Sequence, residues 1–144
     1  MPITDPTQEY FKDGGWSWTG SKWIKGGVPF EYAERLLQRV FANDVEAGFI
    51  NVESDAVPAN EIWVATSMAI SNQSRACTNR LLGLIAGGAS YYLAGDAGGA
   101  KDTYFSWSGI MIATEGDSFM GAIADCVLHD YLRYTVVGYK MRIT

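Results

Sequence analysis

The sequence predicts an all-β chain, a sandwich or jelly roll built from short antiparallel strands. Three observations predict it. Turn formers and aromatic rings are both in surplus, with 16 Gly against five Trp, eight Tyr and six Phe in 144 residues. From residue 48 to residue 143, strand-like segments follow one another, divided by Gly- and Asp-containing turns. The clearest of them, 61–71, alternates with a period of two: Ile62, Val64, Met68 and Ile70 against Glu61, Ala65, Ser67 and Ser71. Trp63 is the exception, a large ring on the polar side.

Composition narrows the class further. A chain of 144 residues suits one domain and can bury about two-thirds of its unfolded surface without disulfides or metal. Hydrophobic residues at 48% and charged residues at 19% exclude a disordered, solvating segment. The net charge is −5 and the 11 Lys and Arg are scattered, so there is no basic footprint to neutralise phosphates and no nucleic-acid partner is expected. Residues 1–6 lack the basic start and apolar run of a signal peptide, and no apolar stretch reaches the ~18–20 residues of a membrane span. Synthesis in a cytoplasm is expected. Cys77 and Cys126 are read there as free thiols, a single bridge being the alternative.

Element by element, residues 1–30 stand apart. Pro2, Pro6 and Pro29, with five glycines, leave no apolar run long enough for a core element. Within them, residues 14–25 form a small hairpin signal around Thr19-Gly20-Ser21, carrying Trp16, Trp18, Trp23 and Ile24. A lone hairpin is marginal in water, so its tryptophans need a surface to pack on, and the segment reads as an arm. Residues 31–43 are ambiguous. Tyr32, Leu36, Leu37, Val40 and Phe41 follow helical spacing, with acidic residues early and basic ones late as a helix dipole prefers; as a strand, both faces are mixed.

Seven strand signals follow: 48–54, 61–71, 79–86, 89–93, 104–115, 119–124 and 131–143. Gly87-Gly88 marks a hairpin between two of them, 95–102 a glycine loop, and Gly116-Asp117 a turn. In 104–115, Ile110 and Ile112 share one face and Trp107 and Met111 the other. The last segment changes phase: Leu132, Tyr134 and Val136 take one parity and Val137, Tyr139, Met141 and Ile143 the other. Gly138 sits at the switch, where a bulge or sharp twist is expected. If residues 33–42 also form a strand, the count is eight, enough for two four-stranded sheets.

Signs of catalysis are weak, and no enzyme, catalytic residue, metal or cofactor is expected. His129 is the single histidine; with Cys126 it makes a C-x-x-H pair, short of the three or four ligands zinc needs. No nucleophile motif accompanies it as a hydrolytic base. The aspartates fall at turns, where their carboxylates bond nearby backbone. Asp96 and Asp102 in the glycine loop match no regular calcium loop. The aromatic surplus carries more. Trp16, Trp18 and Trp23 in the arm, and Trp63 and Trp107 opposite the clean apolar rows, are the candidate docking and subunit-interface residues. Tyr91 and Tyr92 are the candidate glycan-binding residues.

Several segments carry a resemblance. Asp5-Pro6-Thr7-Gln8, then Asp13-Gly14-Gly15-Trp16-Ser17-Trp18 and Lys22-Trp23, resemble the opening segment of small virion structural proteins of tailed bacteriophages. Val57-Pro58-Ala59-Asn60-Glu61-Ile62-Trp63-Val64 is similar to their V-P-A-G-E-x-W-V strand start, with Asn60 where Gly is usual. Ser106-Trp107-Ser108-Gly109, Glu115-Gly116-Asp117 and Gly138-Tyr139-Lys140-Met141 also match. The resemblance implies a jelly-roll-like β-sandwich of about eight antiparallel strands with an extended N-terminal arm, residues 1–30, before a sandwich domain, 31–144. It implies that residues 33–42 are the first strand, against their helical period.

It further implies a non-enzymatic virion component, a capsid decoration, cement or fibre subunit made in the host cytoplasm. Such a subunit forms a homo-oligomer, a trimer by expectation, and docks on a major capsid or tail protein through its arm. A tail-fibre module that binds a host glycan is the first alternative, and a subunit of a non-viral extracellular filament the second. None of the three involves nucleic acid or a membrane.

Overall fold

The computed structural model describes residues 16–18, 23–25 and 30–143, with side chains from Glu34 onward. Every regular element among them is a strand. Two short ones, β1 (Trp16–Trp18) and β2 (Trp23–Lys25), pair antiparallel as a two-stranded sheet of their own. The two strands of the expected hairpin are therefore paired, while its turn, Thr19-Gly20-Ser21, lies outside the described residues.

Eight strands make the body: β3 (Phe30–Ala42), β4 (Gly48–Glu53), β5 (Glu61–Asn72), β6 (Arg80–Ala86), β7 (Ala89–Asp96), β8 (Phe105–Ala113), β9 (Ser118–Cys126) and β10 (Leu132–Ile143). They form two four-stranded sheets ordered β3-β10-β5-β8 and β4-β9-β6-β7. The pairings β6–β7, β5–β8, β4–β9 and β3–β10 are nested and antiparallel. The chain is thus one long antiparallel ribbon, folded at Gly87-Gly88 and rolled into two facing layers. That is jelly-roll topology, reached because each apolar strand face buries itself against the opposite sheet.

The helical period of residues 31–43 is overridden. Twelve residues of β3 pair with β10. Leu36 is buried, Val40 and Ala42 pack against the core, and Leu37 and Phe41 are exposed on the other face. The apolar residues that would share a helix face are split between the two sides of a strand. Pairing along the length of β10 supplies backbone hydrogen bonds and burial together, and that outweighs local pattern.

Between the sheets lie Leu36, Met68, Ile70, Leu82, Phe119, Ile123, Leu132, Tyr134 and Val136, with Trp63, Ala65 and Met111 at one end. The row expected on β5 is corrected by a change of phase. Trp63 and Ala65 face the core, then Met68 and Ile70 do, so the inward parity switches at Thr66. Against β10, the register moves between Val137 and Gly138, where Ala65 and Ser67 find partners and Thr66 does not. The irregularity expected at Gly138 exists, but the additional residue is on β5. Gly138 itself allows the close approach: a Cβ there would lie 1.8 Å from the Val64 carbonyl oxygen. Asn60, at the start of β5, has φ of 62°, a left-handed conformation that Gly adopts freely and Asn tolerates.

Candidate binding surfaces

The tryptophans expected to dock divide three ways. Trp16, Trp18 and Trp23 lie in β1 and β2, and their side chains fall outside the described residues. Trp63 is no surface group: it is 2% exposed in the core, and its indole N–H donates to Glu61 Oε1 at 3.3 Å. Lys140 covers the ring, with Nζ 4.7 Å from the centroid. Its large apolar area is used within the subunit, so its assignment to an interface is corrected. Trp107 is half-buried and packs against the core from β8.

The faces of β8 are the reverse of what an apolar row suggests. Phe105, Trp107, Met111 and Ala113 point inward, which leaves Ile110 and Ile112 outside at 74% and 56% exposure. On the same outer face, Val64 pairs with both Tyr139 and Ile112, and Val137 pairs with Leu37. One half of the outer face of the β3-β10-β5-β8 sheet is therefore largely apolar, interrupted by Arg35 beside Tyr139 and by Ser67 beside Val137.

The other half is basic and aromatic. Thr135 pairs with Arg39 on one side and Ala69 on the other, and Arg133 pairs with Phe41 and Ser71. Because side chains alternate along each strand, Arg39, Phe41, Arg133, Thr135 and Ala69 share the outer face. With Tyr104 they line an open groove of about 370 Å³. The Arg133 guanidinium lies 5.7 Å from the Phe41 ring centroid and 5.4 Å from that of Tyr131, and its Nε donates to the Tyr131 hydroxyl at 3.4 Å. Contacts with the Tyr131 and Tyr104 hydroxyls push Arg133 above its ordinary value, so its charge is constant at any working pH.

Tyr91 and Tyr92, the candidate glycan-binding residues, are separated by strand alternation. Tyr92 lies on the outer face of the β4-β9-β6-β7 sheet, edge-on to Phe49 with centroids 5.9 Å apart, and its hydroxyl donates to Asn51 Oδ1 at 3.4 Å. These partners sit on the opposite edge strand, so the side chains reach across the outer face, where the neighbouring Met120 and Ala122 of β9 are both fully buried. Tyr91 pairs with Leu84 and points to the other side, exposed. No single surface uses both tyrosines.

The buried charges are structural. Arg80 meets Asp96 through Nε at 3.0 Å and Nη2 at 2.6 Å, while its Nη1 donates to the Thr103 carbonyl at 2.9 Å. The Arg80 hydrogen bond holds the Asp96 carboxyl below its ordinary value. Both oxygens of the Asp96 carboxylate are thus engaged by Arg80. Asp130 accepts from Arg75 Nε at 2.7 Å, Asn72 Nδ2 at 3.0 Å and the Val127 N–H at 2.9 Å. Burial alone would raise its pKa, but these donors outweigh it and hold the carboxyl below the usual range. His129 hydrogen-bonds Asp44, both exposed.

Cys77 and Cys126 are free thiols. Among the described residues, no group of three or more His, Cys, Asp and Glu is placed to hold a metal ion, and no helix is long and apolar enough to cross a membrane.

No family model matches the sequence, and no curated protein does. Among solved structures, the chain is similar to an exo-β-1,3-galactanase from Phanerochaete chrysosporium, crystallised with galactose, at 14% identity and TM-score 0.32, over 85% of this chain and 32% of that one. It is similar to a GH26-CBM35 β-(1,4)-mannanase of Podospora anserina at 11% identity and TM-score 0.27, over 83% and 28%. It is also similar to a protein of infectious bursal disease virus, Gx strain, at 8% identity and TM-score 0.27, over 78% and 42%. The chain spans less than half the length of each of these proteins. Likeness at this level carries no functional argument, and the surfaces above have to be read on their own terms.

Proposed function

We propose that the protein is a non-enzymatic structural subunit of a virion, a capsid decoration, cement or fibre protein of the tailed-bacteriophage type. It docks through residues 1–30 on a capsid or tail protein and assembles with copies of itself. The observation that carries this reading is the apolar half of the β3-β10-β5-β8 outer face, where Ile110 is 74% and Ile112 56% exposed. Isolated surface isoleucines are ordinary, but Ile110 and Ile112 together with Leu37 on a largely apolar sheet face favour a contact surface. Association of three copies multiplies a modest contact per arm when several arms engage one repeated lattice. The net charge of −5 keeps free subunits apart from solution aggregates during assembly.

Two measurements test it. Sedimentation equilibrium of the full chain is expected to show an oligomer that Ile110→Lys with Ile112→Lys dissociates without loss of β-sheet signal. A chain without residues 1–28 is expected to remain folded and to stop co-sedimenting with virions. A monomer at all concentrations, or undiminished particle binding after the truncation, refutes the reading.

A second reading, a fibre module that binds a glycan, is favoured by the groove at Arg39, Arg133, Phe41 and Tyr104, whose polar and aromatic lining suits a small hydrated ligand better than a protein face.

A further inference from the structure

We infer that the groove on the outer face of the β3-β10-β5-β8 sheet is a binding site for a carboxylate-bearing sugar, with Arg39 and Arg133 gripping the carboxylate. The inference rests on the second of the two readings above, and names the ligand class for that site.

Register places the two arginines. Arg39 stands opposite Thr135 and Arg133 opposite Phe41, so they occupy diagonal positions on neighbouring strands, with Cβ atoms roughly 7 Å apart. At that spacing two guanidiniums can close on one carboxylate from both sides. Among the described residues no carboxylate lies within ion-pair distance of either, whereas Arg75, Arg80 and Lys140 are each paired with one. In a chain of net charge −5, two like charges side by side without a counter-ion are a cost that an anionic ligand would relieve.

The rest of the groove selects a sugar. Arg133 is already oriented by stacking over Phe41 and Tyr131 and by its bond to the Tyr131 hydroxyl. Less freedom is therefore lost when its planar fork meets a planar carboxylate. Phe41 and Tyr104, both exposed, offer apolar surface to the C–H face of a pyranose. The Thr135 and Tyr104 hydroxyls offer partners for ring hydroxyls. A volume of about 370 Å³ is at the small end of ligand sites and holds one or two sugar rings. An acidic peptide fits less well. Extended peptides bind by adding a strand to a sheet edge, and the floor residues Ala69 and Thr135 belong to β5 and β10, each paired on both sides.

Calorimetric titration of the full-length protein with digalacturonate and sialyllactose, and with galactobiose and lactose as neutral counterparts, tests this. Expected is binding of an acidic sugar with roughly tenfold or greater preference over its neutral counterpart, as loss of hydrogen bonds to a charged group implies. Arg39→Gln and Arg133→Gln should each weaken binding by a similar factor, with circular dichroism and oligomeric state unchanged. Affinity should fall as salt rises. Equal binding of acidic and neutral sugars overturns the inference while leaving a glycan-binding module intact. Failure of every sugar overturns both. Binding of hexaglutamate in preference to the sugars, or indifference to the arginine substitutions, also overturns the inference.

Discussion

Replacing Asp130 by Ala is the sharpest test of how this sandwich is held at the end where β5 leaves and β10 begins. Asp130 is 1% exposed and its carboxylate receives three hydrogen bonds, from Arg75, Asn72 and the Val127 amide. Arg75 is 45% exposed, so water replaces that partner and its loss costs at most about 1 kcal/mol. The Asn72 donor matters more. Asn72 is buried, and its Oδ1 is already engaged by the Ser74 and Arg75 amides, so its NH2 cannot simply turn away. Leaving that buried donor without an acceptor costs about 1–2 kcal/mol, and the amide of Val127, a residue 44% exposed and open to water, adds up to about 1 kcal/mol. With Arg75 the total is about 1–4 kcal/mol.

In urea, with a slope of about 2 kcal/mol/M for a domain of this size, the midpoint falls by roughly 0.5–2 M. Asp130→Asn, which keeps one acceptor, is expected to lose about half as much. The pH dependence follows from the same contacts. A carboxyl held below its ordinary value contributes stability that is complete above the unfolded-state pKa and is lost as pH falls through the folded-state one. Wild type should therefore lose stability more steeply than Asp130→Asn below about pH 4. A loss under about 1 kcal/mol for Asp130→Ala, or identical acid slopes, refutes the argument that these donors are tied to that carboxylate.

Three further expectations concern the core. Gly138→Ala drives a methyl group into the Val64 carbonyl on the neighbouring strand, and since backbone must move, a loss of about 3 kcal/mol in denaturant titration is expected. Tyr134→Phe should change stability by less than about 1 kcal/mol by calorimetry, because the buried hydroxyl's partner is the weak acceptor Met68 Sδ at 3.1 Å. Burial, chiefly, pushes the Cys126 thiol up to about 11, so a thiol reagent near pH 8 should modify it only after denaturant is added.

The number and order of the strands were legible because they rest on local signals. Period-two alternation, Gly87-Gly88 and Gly116-Asp117 divide the chain wherever it must turn. The boundaries of β4, β6 and β9 lie within about two residues of the segments read from pattern. The glycine loop is shorter than its composition suggests, since β7 continues to Asp96, where pairing with Arg80 carries the strand past Gly95. The first strand was different. Its residues are spaced for a helix, and only β10, about a hundred positions away, makes it a strand.

Which face of each strand is the core was beyond the sequence wherever both faces are apolar or the register shifts. Composition alone cannot say that Trp63 belongs inside and Ile110 outside. A single additional residue, Thr66, moves the inward parity of β5, and partner strands decide where it sits. The candidate groove shows the same division more strongly. Each of Arg39, Ala69, Tyr104, Arg133 and Thr135 is unremarkable in its own segment. Strand pairing over long separations sets them side by side, because backbone hydrogen bonds and burial of the opposite faces fix the register. The sequence by itself determined a rolled ribbon of strands; tertiary pairing alone decided which side chains meet on its surface.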